Sequence, residues 1–280
     1  MPQNLLGIHG VVGLVVAVGD NGVILHATGD AYRAQRVECP TAAHLYAVRV
    51  LSPRCAFAVG DHGAVLRWDG ERWSTVTMGA KDDELFSVWS CREEGPAAED
   101  SVWIGGRDTL LVHHPATGAE GFLMSTDATV VGMWSSGPDD MWFLCSEGLV
   151  LHFNGTESSI HPLPGGGEAG YGAISGSGPS DPVWIVGQSG AIIRGDGEHW
   201  ETVGSGTEAA LTSVCVNGPG DVWVTTGGGQ LRHFDGRGWE VAALSPFGYL
   251  RSLCMVDGVV WCAGAGGAVL QHRPSGRVGE

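Results

Sequence analysis

Histidine recurs at one spacing along this chain, and histidine is both a metal ligand and an acid–base group. Seven similar stretches of sequence share the position. Its occupants are His26, Arg67, His113, His152, Arg194, His233 and Gln271. A metal site would need these side chains to converge, whereas one residue per stretch spreads them around the molecule. We therefore interpret them as braces that pack on a nearby aromatic ring and bind the Asp or Asn of the following turn.

A second recurrent position varies much more in residue type. Its occupants are His9, Arg49, Trp89, Trp134, Ser175, Cys215 and Cys254. If these side chains face a common axis, they line a channel with one aromatic side and one side of soft ligands. Cys and His bind zinc and copper, but packing between neighbouring repeats is the simpler explanation, and we predict no metal and no cofactor. The candidate ligand or partner site at the channel mouth is His9, Arg49, Trp89, Trp134, Cys215 and Cys254.

Acidic loops form a third candidate site. We expect them on one face of the molecule, contributed by the first three repeats: Asp20, Asp61, His62, Lys81, Asp82, Asp83 and Glu84. Such a face could bind a cation or a basic peptide. Carboxylates act as acid and base only where burial raises the pKa, and a run such as KDDE is typical of a solvated loop.

An internal repeat predicts the elements that position these residues. The stretch GDVWVTTGGGQLRHFDGRGWE, which starts at Gly220, has six relatives along the chain. The seven copies can be aligned on the residue at the position of Trp223, which we call the anchor. Successive anchors are 38 to 46 residues apart, at Val16, Phe57, Trp103, Trp142, Trp184, Trp223 and Trp261. Seven copies at a period of about 40 residues are typical of a solenoid, a propeller or an array.

Each copy divides into four short runs with the alternation and β-branched content of strands. Asp-Gly or Asn-Gly between the third and fourth runs suits a type I′ turn, which needs positive φ at both central residues. The prediction is an all-β fold, a single seven-bladed β-propeller of four-stranded antiparallel blades over residues 1–280. The repeats cover about residues 5–39, 45–79, 85–124, 130–163, 171–204, 211–244 and 250–280. We expect the seventh blade to have a short or missing outer strand, helped by residues 1–4, without a blade shared by the two termini.

The Trp pattern resembles a known group of proteins. Trp in the second strand, followed by turns such as DGERW, DGEHW and DGRGW, is similar to the Trp-rich repeats of bacterial propellers, in the neighbourhood of the Asp-box (BNR) and Ycf48-like proteins. These turns lack the residue that the Asp-box pattern has between Asp and Gly. The resemblance covers the whole chain and implies the propeller fold, but it carries over no activity and no site residue.

Composition narrows the classes of function. The net charge is −16, which disfavours binding to nucleic acid and to anionic membranes and favours basic partners. We see no secretory signal, and the seven Cys follow no paired spacing, so we expect reduced thiols, a cytoplasmic location and a monomer.

Three functions remain open at this point. The first is a cytosolic binding module or scaffold that presents an acidic face to a protein partner. The second is an enzyme, such as a lyase, hydrolase or cyclase, with its site at the central channel, which could also hold a small molecule. The third is a carbohydrate-binding lectin, which would need equivalent sites in several blades. The sequence contains no P-loop, no H-E-x-x-H and no G-x-S-x-G motif, which favours the binding module.

Overall fold

The chain forms seven antiparallel sheets that follow one another in sequence, each a blade of a β-propeller. The computed structural model describes residues 3–29, 33–78, 83–92, 100–114, 119–124 and 128–274. Six blades have four strands and the last has three within this described part. The prediction of a seven-bladed propeller with an incomplete seventh blade is therefore confirmed.

The strands follow the chain from the inner to the outer edge of each blade. The first three blades contain β1 (Leu5–Val11), β2 (Leu14–Gly19), β3 (Ile24–Thr28) and β4 (Arg33–Arg36); β5 (Leu45–Ser52), β6 (Cys55–Gly60), β7 (Val65–Trp68) and β8 (Trp73–Thr75); and β9 (Leu85–Arg92), β10 (Asp100–Gly106), β11 (Thr109–His114) and β12 (Ala119–Met124). Blades four and five contain β13 (Val130–Gly137), β14 (Asp140–Cys145), β15 (Leu149–Phe153) and β16 (Ser158–Pro162); and β17 (Ala173–Ser175), β18 (Val183–Val186), β19 (Ile192–Gly195) and β20 (Trp200–Thr202). Blades six and seven contain β21 (Leu211–Gly218), β22 (Asp221–Thr226), β23 (Gln230–Phe234) and β24 (Trp239–Leu244); and β25 (Leu250–Val256), β26 (Val259–Gly264) and β27 (Val269–His272).

The hydrophobic core lies between blades, because each blade buries both of its faces against its neighbours. One cluster joins Leu5 and Ile8 of the first blade to Trp261 and Ala263 of the seventh. Ring closure thus uses the same packing as the other interfaces. The Asn4 side chain adds polar links at this junction, since its Oδ1 accepts the Gly266 N–H at 3.1 Å and its Nδ2 donates to Asp20 Oδ2 at 2.8 Å.

The turn chemistry differs from the prediction. At the Asp-Gly turns only the glycine has positive φ, as at Gly70 (99°) and Gly236 (86°), so these are not type I′ turns. The preceding carboxylate holds each loop instead: Asp69 Oδ1 accepts the N–H groups of Glu71 and Arg72, each at 2.9 Å. A side-chain acceptor replaces the second left-handed residue, as in an Asx turn.

Two consecutive residues with positive φ, which the prediction placed in the Asp-Gly turns, occur instead in turns between the second and third strands. In the first blade Asn21 (φ 51°) and Gly22 (φ 67°) are both left-handed, and the Val23 N–H donates to Asp20 O at 3.1 Å. Asn and Gly are the residues that tolerate this region best.

Two of the recurrent His residues, His152 and His233, brace the aromatic anchor of their own blade, as predicted, but through a different carboxylate. His152 stacks on Trp142 with centroids 3.8 Å apart, and Asp140 Oδ1 lies 2.8 Å from both His152 Nε2 and Trp142 Nε1. The predicted partner was the turn residue Asn154, which instead accepts backbone N–H groups of its own turn. Trp142 is the residue that pairs with His152 across the hairpin, and Asp140, two residues earlier on the second strand, lies on the same face of the sheet as both rings.

The sixth blade repeats this arrangement. His233 stacks on Trp223 at 4.0 Å, and Asp221 Oδ1 contacts His233 Nε2 at 2.9 Å. The third blade departs from it, because its hairpin turn is shorter. There Trp103 pairs with Val112 and His113 pairs with Val102, so His113 lies one residue out of the predicted register.

Candidate functional site

A cavity of about 310 Å³ opens on the propeller axis. The first halves of the inner strands line it, one segment from each of the seven blades. The fold creates this space because the closing of seven twisted sheets leaves an axial channel between their inner strands.

Seven residues at the predicted inner-strand position form what we call the connector ring. Each of them pairs in register with the anchor residue of the second strand of its own blade, as Cys215 does with Trp223. The ring consists of His9, Arg49, Trp89, Trp134, Ser175, Cys215 and Cys254.

Each connector side chain reaches the residue that follows the connector of the next blade. For Ser175 this contact is a hydrogen bond, in which Oγ accepts the Val216 N–H at 3.1 Å. The successive contacts are His9 to Val50, Arg49 to Ser90, Trp89 to Ser135, Trp134 to Gly176, Ser175 to Val216, Cys215 to Met255, and Cys254 to Gly10. The last contact closes the circle. These residues therefore link the blades, whatever else they do.

Three of the six predicted site residues also line the cavity. Arg49 lies with its guanidinium carbon 3.7 Å from the Trp89 ring centroid, and its Nη1 lies 2.8 Å from His9 Nε2. His9, Arg49 and Trp89 thus form one cluster at the cavity wall. Trp134, Cys215 and Cys254 are not part of this lining, because their side chains turn into the interfaces between blades.

The electrostatics of the cluster keep His9 neutral. Burial, and next the charge of Arg49, lower the pKa of His9 well below its usual value of 6.5. Both ring nitrogens face donors, the Val50 N–H and Arg49 Nη1; a neutral imidazole can accept a hydrogen bond from one of them, whereas an imidazolium can accept from neither. Burial also lowers the pKa of Arg49 to about 10, which leaves the guanidinium charged at neutral pH. The cavity wall therefore carries the positive charge of Arg49 beside the ring of Trp89.

The two connector cysteines remain protonated thiols at neutral pH. Burial raises the pKa of Cys215 to about 11 and raises the pKa of Cys254 well above 9.0. A thiolate is the form that attacks substrates or binds metal ions. Within the described residues no group of three or more His, Cys, Asp or Glu side chains is arranged to hold a metal ion.

Large side chains, all but one of them aromatic or aliphatic, surround the entrance to the cavity, and we call them the channel mouth: Leu6, Tyr46, Phe86, Val131, Tyr249 and Arg251. Tyr46 and Phe86 have ring centroids 5.4 Å apart. Across the opening, Arg251 Nη1 donates to Tyr249 Oη at 3.1 Å, and Tyr249 is 40% exposed. Sequence reasoning missed this set, which stands three residues before the connectors in most blades. The recurrence of large side chains at that offset was the available signal.

The predicted acidic loops lie beside the channel mouth, and we call their described carboxylates the acidic rim: Asp20, Asp61, Asp83 and Glu84. Tyr46 Oη donates to Asp61 Oδ1 at 2.6 Å, and burial together with this bond raises the pKa of Tyr46 to about 12. Other carboxylates of the rim are also engaged, Asp83 by Thr109 and Glu84 by Arg107.

Three other residues of the predicted acidic face, His62, Lys81 and Asp82, are not part of the acidic rim. His62 is exposed at the tip of its turn, with φ of 55°. Lys81 and Asp82 lie outside the described residues.

Comparison with known proteins supports the fold and gives one distant relative. No family model matches the chain. Immune protein Tsi7 from Pseudomonas aeruginosa PAO1 is 25% identical over 218 residues, which cover 73% of this chain and 70% of that protein. A structure described as YCF48 bound to a D1 peptide superimposes with a TM-score of 0.75 at 14% identity, over 96% of this chain and 93% of that one. YCF48 from Cyanidioschyzon merolae gives a TM-score of 0.75 at 15% identity, over 98% and 97%.

The fold thus belongs to the class of seven-bladed β-propellers similar to YCF48, as the Trp pattern indicated. In the described part of the chain, no helix has the length and apolar character needed to cross a membrane.

Proposed function

We propose that the protein is a binding module that holds a protein partner on the face of the channel mouth. One observation carries the proposal: aromatic and aliphatic side chains around the opening adjoin the acidic rim on the same face. Phe247 (65% exposed) and Leu244 (66% exposed) extend the apolar surface from Tyr249 along the connection between β24 and β25. Exposed aromatic residues and Arg are enriched where proteins bind proteins, and the named relatives, an immune protein and a YCF48 described with a bound peptide, agree with such a role.

The acidic rim is proposed to face a basic surface of that partner. Its carboxylates already accept hydrogen bonds from neighbours, so their contribution is long-range attraction rather than new direct pairs. Attraction of this kind accelerates association and is screened by salt. We therefore expect the association rate to fall as NaCl rises, with a smaller change in the dissociation rate.

A narrower proposal follows from the relative. The bound protein would be one whose activity the propeller blocks, as the name of Immune protein Tsi7 suggests. We also propose that the chain acts in the cytosol as a monomer. Seven cysteines that are present as thiols and the net charge of −16 support these two proposals, since a reducing compartment keeps cysteines from forming disulfides and like charges oppose self-association.

Affinity capture from the native cell tests the main proposal. The double variant Phe247→Ser, Tyr249→Ala removes exposed aromatic surface from the channel mouth, and Ile160→Ser, at a residue that is 62% exposed on β16, is the matched control. We expect a partner that the control retains and that the double variant loses by about tenfold or more, as at interface hot spots. Equal recovery by both variants would place the binding surface elsewhere.

A further inference from the structure

The axial cavity carries positive charge, although the protein as a whole is acidic. Arg49 and Arg251 both line the cavity, and none of the described residues along its wall is an Asp or a Glu. The chain has 31 acidic residues against 15 basic ones, so a wall of this charge departs from the average composition. An enclosed space with such a wall favours an anion over a cation.

The Arg49 guanidinium has more hydrogen-bond donors than there are acceptors around it. Of its five N–H bonds, the Nε–H donates to Ser90 Oγ at 3.0 Å, and Nη1 lies 2.8 Å from His9 Nε2. In the described part of the chain no carboxylate forms an ion pair with this group. The second N–H of Nη1 and both of Nη2 have no acceptor among those residues. Arg49 is partly accessible and lines the cavity, so these donors are available to a ligand.

The neighbouring His9 ring does not supply the missing acceptors. A neutral imidazole has one acceptor nitrogen, and two donors face this ring, the Val50 N–H at 3.1 Å and Arg49 Nη1. Whichever nitrogen carries the proton, one of the two donors lacks an acceptor. Unsatisfied donors on a charged group in an enclosed site are unfavourable. An oxyanion in the cavity would accept hydrogen bonds from Arg49 and balance its charge.

The orientation of Arg49 determines the kind of anion that fits. Trp89 covers one face of the guanidinium, with Cζ 3.7 Å from the ring centroid. The free N–H bonds point outward in the plane of the guanidinium, where a planar carboxylate can accept more than one of them. At the entrance, Arg251 Nη1 donates to Tyr249 Oη at 3.1 Å. Its charge at this place would draw an anion toward the opening.

Part of the cavity wall is apolar, which predicts the rest of the ligand. Blades three to five contribute Phe86, Val131, Met133 and Ile174. The volume of about 310 Å³ is at the lower end of the range for small-molecule sites, and it accommodates a molecule with a single ring. An inorganic anion would leave the apolar wall in contact with water, whereas an organic acid with a compact apolar body would cover it.

We propose that the axial cavity binds a small organic carboxylate, with its carboxylate on the free N–H groups of Arg49 and its apolar body against Phe86, Val131 and Met133. The ligand lies inside the channel, whereas the proposed protein partner covers the outer face, so this site does not depend on that partner. Arg49 then has two roles, because it links two blades through Ser90 and also holds the ligand.

Calorimetric titration of the full-length protein with benzoate tests the proposal. Benzamide is the matched ligand, because it has the same ring and nearly the same shape but no charge. Benzoate should bind saturably with a Kd of about 1 mM or lower, as expected for a ligand of few atoms. Benzamide should bind about tenfold or more weakly, since it cannot form charge-assisted hydrogen bonds with Arg49. Sodium sulfate should also bind more weakly than benzoate, because it gains nothing from the apolar wall.

Two protein variants provide a second comparison. Arg49→Met removes the charge and should weaken benzoate binding about tenfold or more. Arg194→Met is the control, because Arg194 also lies over a Trp ring, 5.4 Å from the centroid of Trp184, but is not part of the cavity wall. It should bind benzoate within about twofold of the wild type. Thermal unfolding shows whether each variant is folded, and the comparison of benzoate with benzamide needs neither variant.

A crystal of the wild-type protein soaked with 4-bromobenzoate locates the ligand through the anomalous signal of bromine. We expect a carboxylate oxygen about 3 Å from Arg49 Nη2. The proposal is overturned if benzoate shows no saturable binding up to about 10 mM, if benzamide or sulfate binds as tightly as benzoate, or if the bromine lies outside the cavity. It is also overturned if folded Arg49→Met binds benzoate as the wild type does. All of these measurements use the protein without a partner, so failure of the proposed protein binding would leave them unchanged.

Discussion

At the scale of single residues, two histidines, His9 and His26, serve as neutral packing groups. Burial lowers the pKa of His26 to about 4, and its Nε2 accepts the Trp73 indole N–H. His9 is held neutral by burial and by the adjacent Arg49. A neutral imidazole can accept a hydrogen bond inside a hydrophobic interface, whereas an imidazolium there would be both desolvated and short of an acceptor. These histidines therefore make the fold sensitive to acid.

Replacement of His26 tests this sensitivity. Its folded pKa is depressed, so its contribution to stability is complete above pH 6.5 and is lost as the pH falls toward about 4, because only the unfolded chain takes up the proton in that window. The free energy of unfolding should decline by up to about 1.4 kcal/mol per pH unit from this residue. His26→Gln keeps an acceptor for Trp73 and should flatten the decline, as measured by urea unfolding at pH 4.5 to 7.5.

The control for this experiment is His199→Gln, because the His199 side chain is 86% exposed. That variant should keep the wild-type pH dependence. A His26→Gln protein with the same slope as the wild type would contradict the assignment.

At the scale of the repeating element, close approach of two backbones determines the residue at the end of several second strands. Gly60 has φ of −172°, an extended conformation open to any residue, yet a Cβ there would lie 1.9 Å from His44 O. The approach exists because the Asp61 N–H donates to the same carbonyl at 3.0 Å. Gly19 and Gly264 make the equivalent approaches to Asn4 O and Tyr249 O. Glycine is required at these places for space and not for its freedom of φ.

Gly60→Ala should therefore destabilise the protein strongly. The added methyl group must push the end of β6 away from His44, which precedes β5 of the same blade. We expect this to lower the free energy of unfolding by about 2–4 kcal/mol. Gly238→Ala is the matched control, since a Cβ at Gly238 meets no atom within 4 Å, and it should change stability by about 0.5 kcal/mol or less. Denaturant unfolding of both variants measures the difference. Similar values for the two would show that the backbones separate easily.

At the scale of the whole molecule, the charge of −16 opposes folding while it supports solubility and the attraction of basic partners. Ring closure concentrates this charge on a compact body. The described surface contains local ion pairs, such as Arg194–Glu201 and Arg107–Glu84, but 31 acidic residues exceed 15 basic ones. Net repulsion should therefore be part of the energy balance of the folded state.

Salt should stabilise the propeller. The Debye length falls from about 30 Å at 0.01 M to about 8 Å at 0.15 M, so NaCl screens the repulsion and should raise the unfolding free energy by about 1 kcal/mol. Urea unfolding, with an uncharged denaturant, measures this directly. A variant with Glu71→Gln, Glu157→Gln and Glu198→Gln at exposed turns should show a smaller increase. A stability that is flat or falling with salt would mean that local ion pairs outweigh the net repulsion.

Much of the architecture could be predicted from the sequence because repetition multiplies weak signals. Seven copies of one strand pattern identify the blades, although each short strand alone would be ambiguous. The same repetition identified Trp142 and His152 as a packing pair, since such recurrent positions serve a recurrent interface. The seventh blade, which has three strands in the described part of the chain, also agrees with the prediction made from the residues that follow Val269.

Contacts between blades were decided only by the tertiary structure, because no local sequence pattern encodes them. The sequence could mark the position of Cys215 as variable, but not show that its side chain turns toward Met255 while Arg49 faces the cavity. It could not choose Asp140 over Asn154 as the partner of His152, because Asn154 is near His152 in sequence, whereas only the geometry of the hairpin brings Asp140 close to it. The channel mouth exists only where seven blades meet. Sequence periodicity therefore determined the unit, and ring closure determined which of its residues are available to a partner.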